Sequence, residues 1–154
     1  MSEVVTDYIE CIVYFKSEDG YKFLVMKRSN YTKVYPGIWQ IVTGRHEKNE
    51  LSADCAIREV REETGLKIKR FFAFPKVSSF YTYHNDKINL VPLFIAESED
   101  MSVKLSDEHT EYKWLGFDDA YNKIFLFTQK EMLQYVNLFL NNNEYFKTLT
   151  EIKL

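Results

Sequence analysis

Glu50, Arg58, Glu59, Glu62 and Glu63 crowd into GRHEKNELSADCAIREVREETGL, the stretch from Gly44 to Leu66. On a helix Glu59 lies three and four residues from Glu62 and Glu63, so it neighbours both. Like charges at those spacings cost a few tenths of a kcal/mol per exposed pair, and more when partly buried. A hard divalent cation removes the conflict. Oxygen donors suit Mg²⁺ or Mn²⁺, and Mg²⁺ binds through a few carboxylates with the rest of its shell from phosphate and water. A solvated acidic face accounts for the same three glutamates, and spacing alone does not separate the two readings. Arg58 is either a surface charge or the residue that orients Glu50 or Glu62 through charge-assisted hydrogen bonds.

The elements around these residues must hold them. Ser52 is a candidate cap for a helix running to Thr64, with Leu51 and Ala56 placed for a hydrophobic staple and Gly65 suited to the left-handed residue after it. Ala53, Ala56, Ile57, Val60 and Thr64 form the apolar face, and the three glutamates occupy another sector. YIECIVYF (Tyr8–Phe15) and YKFLVMKR (Tyr21–Arg28) read as a hairpin across the SEDG turn, and QIVTG as a short strand ending at Gly44. Strand pieces follow over Ile68–Tyr83, broken near Pro75, and over Ile88–Glu97, where Pro92 marks an edge, a bulge or a break. Val103 and Leu105 suggest a short strand, Glu111–Ala120 a strand and the start of a helix, and Gln129–Leu140 a packing helix on Met132, Leu133, Val136 and Leu140. This order predicts an α/β fold with a mixed sheet between helices.

At 154 residues, 45% of them hydrophobic, the chain suits one domain over residues 1–154. Its net charge of -3 and lack of a long basic block argue against a nucleic-acid polymer as partner. The two cysteines, Cys11 and Cys55, are expected as core thiols. With no basic leader followed by an apolar run and no stretch of membrane-spanning length, a cytoplasmic protein without membrane contact is expected.

Gly44, then Glu50, then REVREETGL from Arg58 to Leu66 together match the complete signature of the Nudix hydrolases, which this chain therefore resembles. The resemblance implies an α/β/α sandwich and hydrolysis of a nucleoside diphosphate linked to a further group, with Mg²⁺ or Mn²⁺. By analogy Glu59, Glu62 and Glu63 hold metal, the Gly44 carbonyl is an additional ligand, and Arg58 orients Glu50 or a neighbouring carboxylate. Glu59 is the preferred general base. Glu108 is the late-loop candidate for that role, with His109 and Glu111 as alternatives. Two residues depart from the common pattern: Asn49 replaces a frequent glycine but tolerates left-handed backbone, and His46 replaces a small apolar residue.

WQIVTG (Trp39–Gly44) and EHTEYKWL (Glu108–Leu115) resemble the bacterial branch of dihydroneopterin triphosphate pyrophosphatases, also described as dATP pyrophosphohydrolases. That branch implies a nucleoside or pterin triphosphate as the small-molecule partner, cleaved to the monophosphate and pyrophosphate. Arg28 and Arg45, with Lys27 and Lys33, are then candidates for phosphate contacts. Trp39 and Tyr81, with Phe80 and Tyr83, are candidates for ring stacking. An asymmetric dinucleoside polyphosphate hydrolase is the alternative enzyme, and a nucleotide sensor that kept the motif without turnover is the alternative of another class. A homodimer is compatible with the family.

Overall fold

In the computed structural model, which describes all of residues Met1–Leu154, nine strands join in one sheet. They are β1 (Glu3–Val5), β2 (Tyr8–Ser17), β3 (Gly20–Arg28), β4 (Trp39–Gln40), β5 (Val42–Arg45), β6 (Ile68–Thr82), β7 (Lys87–Ser98), β8 (His109–Leu115) and β9 (Thr150–Ile152). The helices are α1 (Ser52–Thr64), α2 (Phe117–Lys123), α3 (Phe127–Leu140) and α4 (Asn143–Phe146). The sheet is mixed. β7 runs parallel to β1 and β2, and every other pairing is antiparallel.

Two-residue alternation sorts each central strand between two cores. On β2, Ile9, Cys11 and Val13 join Cys55, Ala56 and Val60 of α1. Ile12 and Tyr14 point the other way, toward Ala120 and Ile124 at α2 and Met132, Leu133 and Val136 of α3. The result is the expected α/β/α arrangement. Both cysteines are buried free thiols.

The strands β2 and β3 part company where the site lies. β2 pairs with β3 through Tyr14–Ser17 but with β5 through Tyr8–Cys11, while Met26 and Lys27 of β3 turn to β4. The short β4–β5 segment thus fills the wedge between splayed strands and brings Gly44 opposite Ile9. The prolines are accommodated in two ways. Pro92 lies between the part of β7 that pairs with β1, ending at Asn89, and the part that pairs with β2, starting at Leu93. Opposite it the β6 register slips between Ala73 and Val77, so Pro75 sits in an irregularity of one continuous strand rather than a break.

Several expectations need correction. Ser52 does not cap α1: the capping position falls to Leu51, with no side-chain bond, because the Ser52 hydroxyl is engaged by His46 Nε2 at 2.9 Å. Leu51 is exposed and makes no staple. Val103 and Leu105 form no strand; they pack against the α1-side core while Lys104 N–H donates to the Thr64 carbonyl at 2.8 Å. The three-residue strands β1 and β9 carry too little periodicity to be legible in the sequence. At the other end of α1, Gly65 has φ 66°, as a left-handed terminator requires, and Leu66 is buried beyond it.

Candidate active site

Arg58 is the organiser of the signature. Its Nε and Nη2 donate to the two oxygens of Glu50 at 2.7 and 2.9 Å, and Nη1 donates to Glu59 at 2.8 Å and Glu62 at 3.1 Å. Nη2 also reaches the Arg45 carbonyl at 3.0 Å, tying α1 to the end of β5. The Glu47 N–H completes the hold on Glu50 at 2.9 Å, and these donors pull the Glu50 carboxyl down to about 2. The loop before the helix is fixed as well: Asn49 has φ 62°, and His46 spans the Asp7 carbonyl and Ser52.

A lysine cannot reproduce this fork, because its ammonium lacks the planar pair of donors that meets a carboxylate edge-on. Arg58→Lys is expected to lower kcat about 10- to 100-fold with only a minor change in melting temperature, checked by steady-state kinetics beside calorimetry. A variant with full activity would remove Arg58 from the positioning role.

Gly44 is required sterically. A Cβ there would lie 2.1 Å from Cγ and 2.3 Å from Cδ of Glu59, so the carboxylate rests directly on the glycine backbone. Glu63 is buried rather than in an outward acidic sector, and its Oε2 has no hydrogen-bond partner. Burial pushes its pKa well up, with Glu59 and Glu108 adding to the rise and Arg28 opposing it. Burial also raises Glu59, against the pull of Arg58. Only Glu62 is mainly solvent-facing.

Glu63, Glu108 and His109 offer ligand atoms that lie within 4.8 Å of one another. The His109 ring is buried, and burial, then Arg28, lowers its pKa to about 4. Its Nε2 meets the Gln40 side-chain amide at 3.0 Å and its Nδ1 has no partner. Gln40 is part of the WQIVTG resemblance but has no site role there, since a strand of two residues carries no periodic signal of which side chain faces the site.

Of the residues expected to touch substrate, Arg28 is brought to the carboxylates, where its charge acts on Glu63 and His109, and its Nε donates to the Val34 carbonyl at 3.1 Å. Arg45 lies over the Tyr8 ring, 5.9 Å from its centre. Trp39 packs against the α2–α3 side, with Lys123 4.7 Å from its ring centre. Tyr81 points elsewhere, its hydroxyl donating to Asp86 at the β6–β7 end at 3.0 Å. Glu111 is paired with Lys27 at 3.2 Å.

Carboxylates that repel one another, one with a buried unpartnered oxygen, fit a hard divalent cation, with His109 the one nitrogen donor beside them. Glu63, Glu108 and His109 bring ligand atoms close enough together to hold an ion, and Glu59 is near enough for its charge to act on Glu63.

The NUDIX domain model matches residues 10–136. An asymmetrical bis(5'-nucleosyl)-tetraphosphatase from Sus scrofa is 30% identical over 124 residues, 77% of this chain and 80% of that protein. Among solved structures, a Nudix hydrolase from Listeria monocytogenes superposes with TM-score 0.75 at 24% identity, covering 91% of this chain and 97% of the other. The E. coli dihydroneopterin triphosphate pyrophosphohydrolase superposes with TM-score 0.67 at 21% identity, covering 86% and 99%. At these identities the superpositions speak for the fold. The family match and the arrangement of Gly44, Glu50, Arg58, Glu59 and Glu63 agree: the chain belongs to the NUDIX family and is a Nudix hydrolase.

Proposed function

We propose that this centre hydrolyses a nucleoside or pterin triphosphate to the monophosphate and pyrophosphate, with Mg²⁺ and with Mn²⁺ as a substitute. The observation that carries the reading is the buried, unpartnered Glu63 oxygen among Glu59 and Glu108, whose charge Arg28 only partly opposes. When bound, the cation supplies positive charge at the phosphate oxygens and the leaving group.

The chain's own residues do the rest. Arg58 fixes Glu50 and Glu59 so that their oxygens need no reorganisation during the reaction. Glu59 Oε1 accepts from Arg58, leaving Oε2 to take the proton of the attacking water. Its raised pKa brings it nearer the working pH, as a general base requires. Glu108, exposed at the mouth beside Glu63, is the second candidate for that proton. Arg28 offsets the charge of the outer phosphates, and Glu62 lies at the rim. The residues Trp39–Gly44 and Glu108–Leu115 support a triphosphate substrate by their resemblance to the pterin and dATP branch.

A second reading, cleavage of a dinucleoside polyphosphate, draws support from the porcine relative, whose name describes that activity. The test is a panel of dATP, GTP, dihydroneopterin triphosphate and a dinucleoside tetraphosphate, with products identified with and without Mg²⁺. The expected result is pyrophosphate release from a triphosphate that falls at least about 100-fold without the metal. Cleavage of the dinucleotide alone would favour the second reading, and tight binding without turnover would favour a sensor.

A further inference from the structure

The carboxyl ends of the parallel strands β2 and β7 open onto a cavity that the catalytic centre does not use. It measures about 320 Å³ and lies between the sheet and the elbow that joins α3 to α4. Strand register explains its floor. Tyr14 is level with Glu97, Lys16 with Tyr21, and Glu97 with Arg70, and by alternation all five project to the α2–α3 side with Ile12, Phe23, Phe72 and Ile95. The catalytic glycine is far from here: Gly44 pairs with Ile9, five residues before Tyr14 and so roughly 17 Å back along β2. Its helix α1 covers the opposite face of the sheet.

The charges of this cavity sort by depth. Glu97 lies at the bottom, only 7% exposed, and receives little: the Tyr14 hydroxyl donates to one oxygen at 3.4 Å, and Lys69 Nζ stands 3.8 Å from the other. A carboxylate has about four acceptor sites, so most of its capacity is left toward the cavity. Burial and the Glu97 charge push the Tyr14 phenol up, which keeps it a donor. At the rim, Lys16 and Lys69 are exposed ammonium groups, while Arg70 is held by Glu151 at 2.6 Å and lies over the Phe146 ring, 5.5 Å from its centre. A metal ion or an amine meets the lysines before it reaches Glu97. An inorganic anion suits the lysines but brings Glu97 no donor, and an apolar molecule strips water from the carboxylate without replacing its hydrogen bonds. A molecule with N–H groups on a planar ring at one end and an anionic group at the other satisfies both depths, and Tyr21, Leu140 and Phe146 flank the space for the ring.

We propose that this cavity is a second ligand site, for a nucleoside monophosphate, with the N–H groups of the base on Glu97 and the phosphate at Lys16 and Lys69. Its volume is at the lower end of the roughly 300–1,000 Å³ of small-molecule sites, which suits one nucleotide rather than two. The cavity and its charges stand independently of the catalytic reading. The choice of a monophosphate among ring-bearing anions rests on that reading, whose reaction releases one.

The test titrates the protein, in chelator, with AMP, GMP, ribose 5-phosphate and inorganic phosphate by calorimetry, and maps the shifted backbone amides by NMR. AMP or GMP is expected to bind at least about 10-fold tighter than ribose 5-phosphate, shifting Lys16, Tyr21, Lys69 and Asn143 and leaving Gly44 and Glu59 unmoved. Glu97→Gln should remove the advantage of the nucleotide over ribose 5-phosphate. Lys16→Glu, at an exposed position that keeps the test valid if Glu97→Gln fails to fold, should weaken nucleotide and ribose 5-phosphate alike by about 10-fold. Turnover in both variants should stay within about threefold of wild type, since neither residue is near the catalytic centre. Shifts confined to Gly44 and α1, nucleotide affinity no better than that of phosphate, or affinity unchanged in Lys16→Glu would overturn the site. Monophosphate bound in this cavity by a protein that cleaves only the dinucleotide would uphold the site and reject the triphosphatase. Triphosphate cleavage with no monophosphate bound in the cavity would do the reverse.

Discussion

Glu63→Gln is expected to lower kcat by about 10³-fold or more while making the metal-free protein more resistant to heat. The two effects share a cause. Glu63 is held buried with Oε2 unpartnered, among Glu59 and Glu108, so its charge is unwelcome until a cation arrives. The amide keeps the volume and removes both the charge and the metal affinity. The pH dependence follows from the direction of the shifts. Burial raises Glu63 and Glu59 above their unfolded values, so the native state binds protons that the unfolded chain releases. Their contribution is complete below the unfolded carboxyl value of about 4.3 and is lost as pH rises through the folded values. Glu10, raised to about 7, acts in the same direction. The metal-free wild type should therefore lose melting temperature between about pH 5 and 8, and Glu63→Gln should flatten that decline and melt a few degrees higher at pH 8. Calorimetry in chelator, with and without added Mg²⁺, checks it; a variant that melts lower at pH 8 and keeps its turnover would refute both halves.

Gly44→Ala is the second large effect. The methyl would stand 2.1 Å from Glu59 Cγ, and the carboxylate cannot withdraw without leaving Arg58 Nη1, which holds its Oε1 at 2.8 Å. Overlap that close forces the helix or the β5 strand to move, a change costing about 1–3 kcal/mol. A displacement of about 1 Å at reacting groups can cost 100-fold in rate. Activity is thus expected to fall at least about 100-fold, with a melting temperature several degrees lower. Near-normal kinetics would mean that Glu59 does not sit over Gly44 in solution.

The signature was readable because its chemistry is local in sequence. Arg58, Glu59, Glu62 and Glu63 share one helix, and the Gly65 terminator and Asn49 turn follow from backbone sterics alone. The central strands were equally legible from the alternation of Ile9, Cys11 and Val13 with Ile12 and Tyr14. What escaped depends on partners distant along the chain. Ser52 reads as a helix cap until His46 takes its hydroxyl, and Glu63 reads as solvent-facing until the β8 side brings Glu108 and His109 against it. Tyr81 and Trp39 look alike as stacking residues in sequence, yet the register of β6 carries Tyr81 toward Asp86.

The account stands on the carboxylates of α1 gathering around hard cations against Gly44. A crystal structure with Mg²⁺ and a non-hydrolysable triphosphate analogue tests this most directly. Cation–oxygen distances of about 2.0–2.1 Å to Glu59, Glu63 and the Gly44 carbonyl are the predicted result. Cations bound elsewhere, with Glu59 and Glu63 turned away from the phosphates, would contradict it.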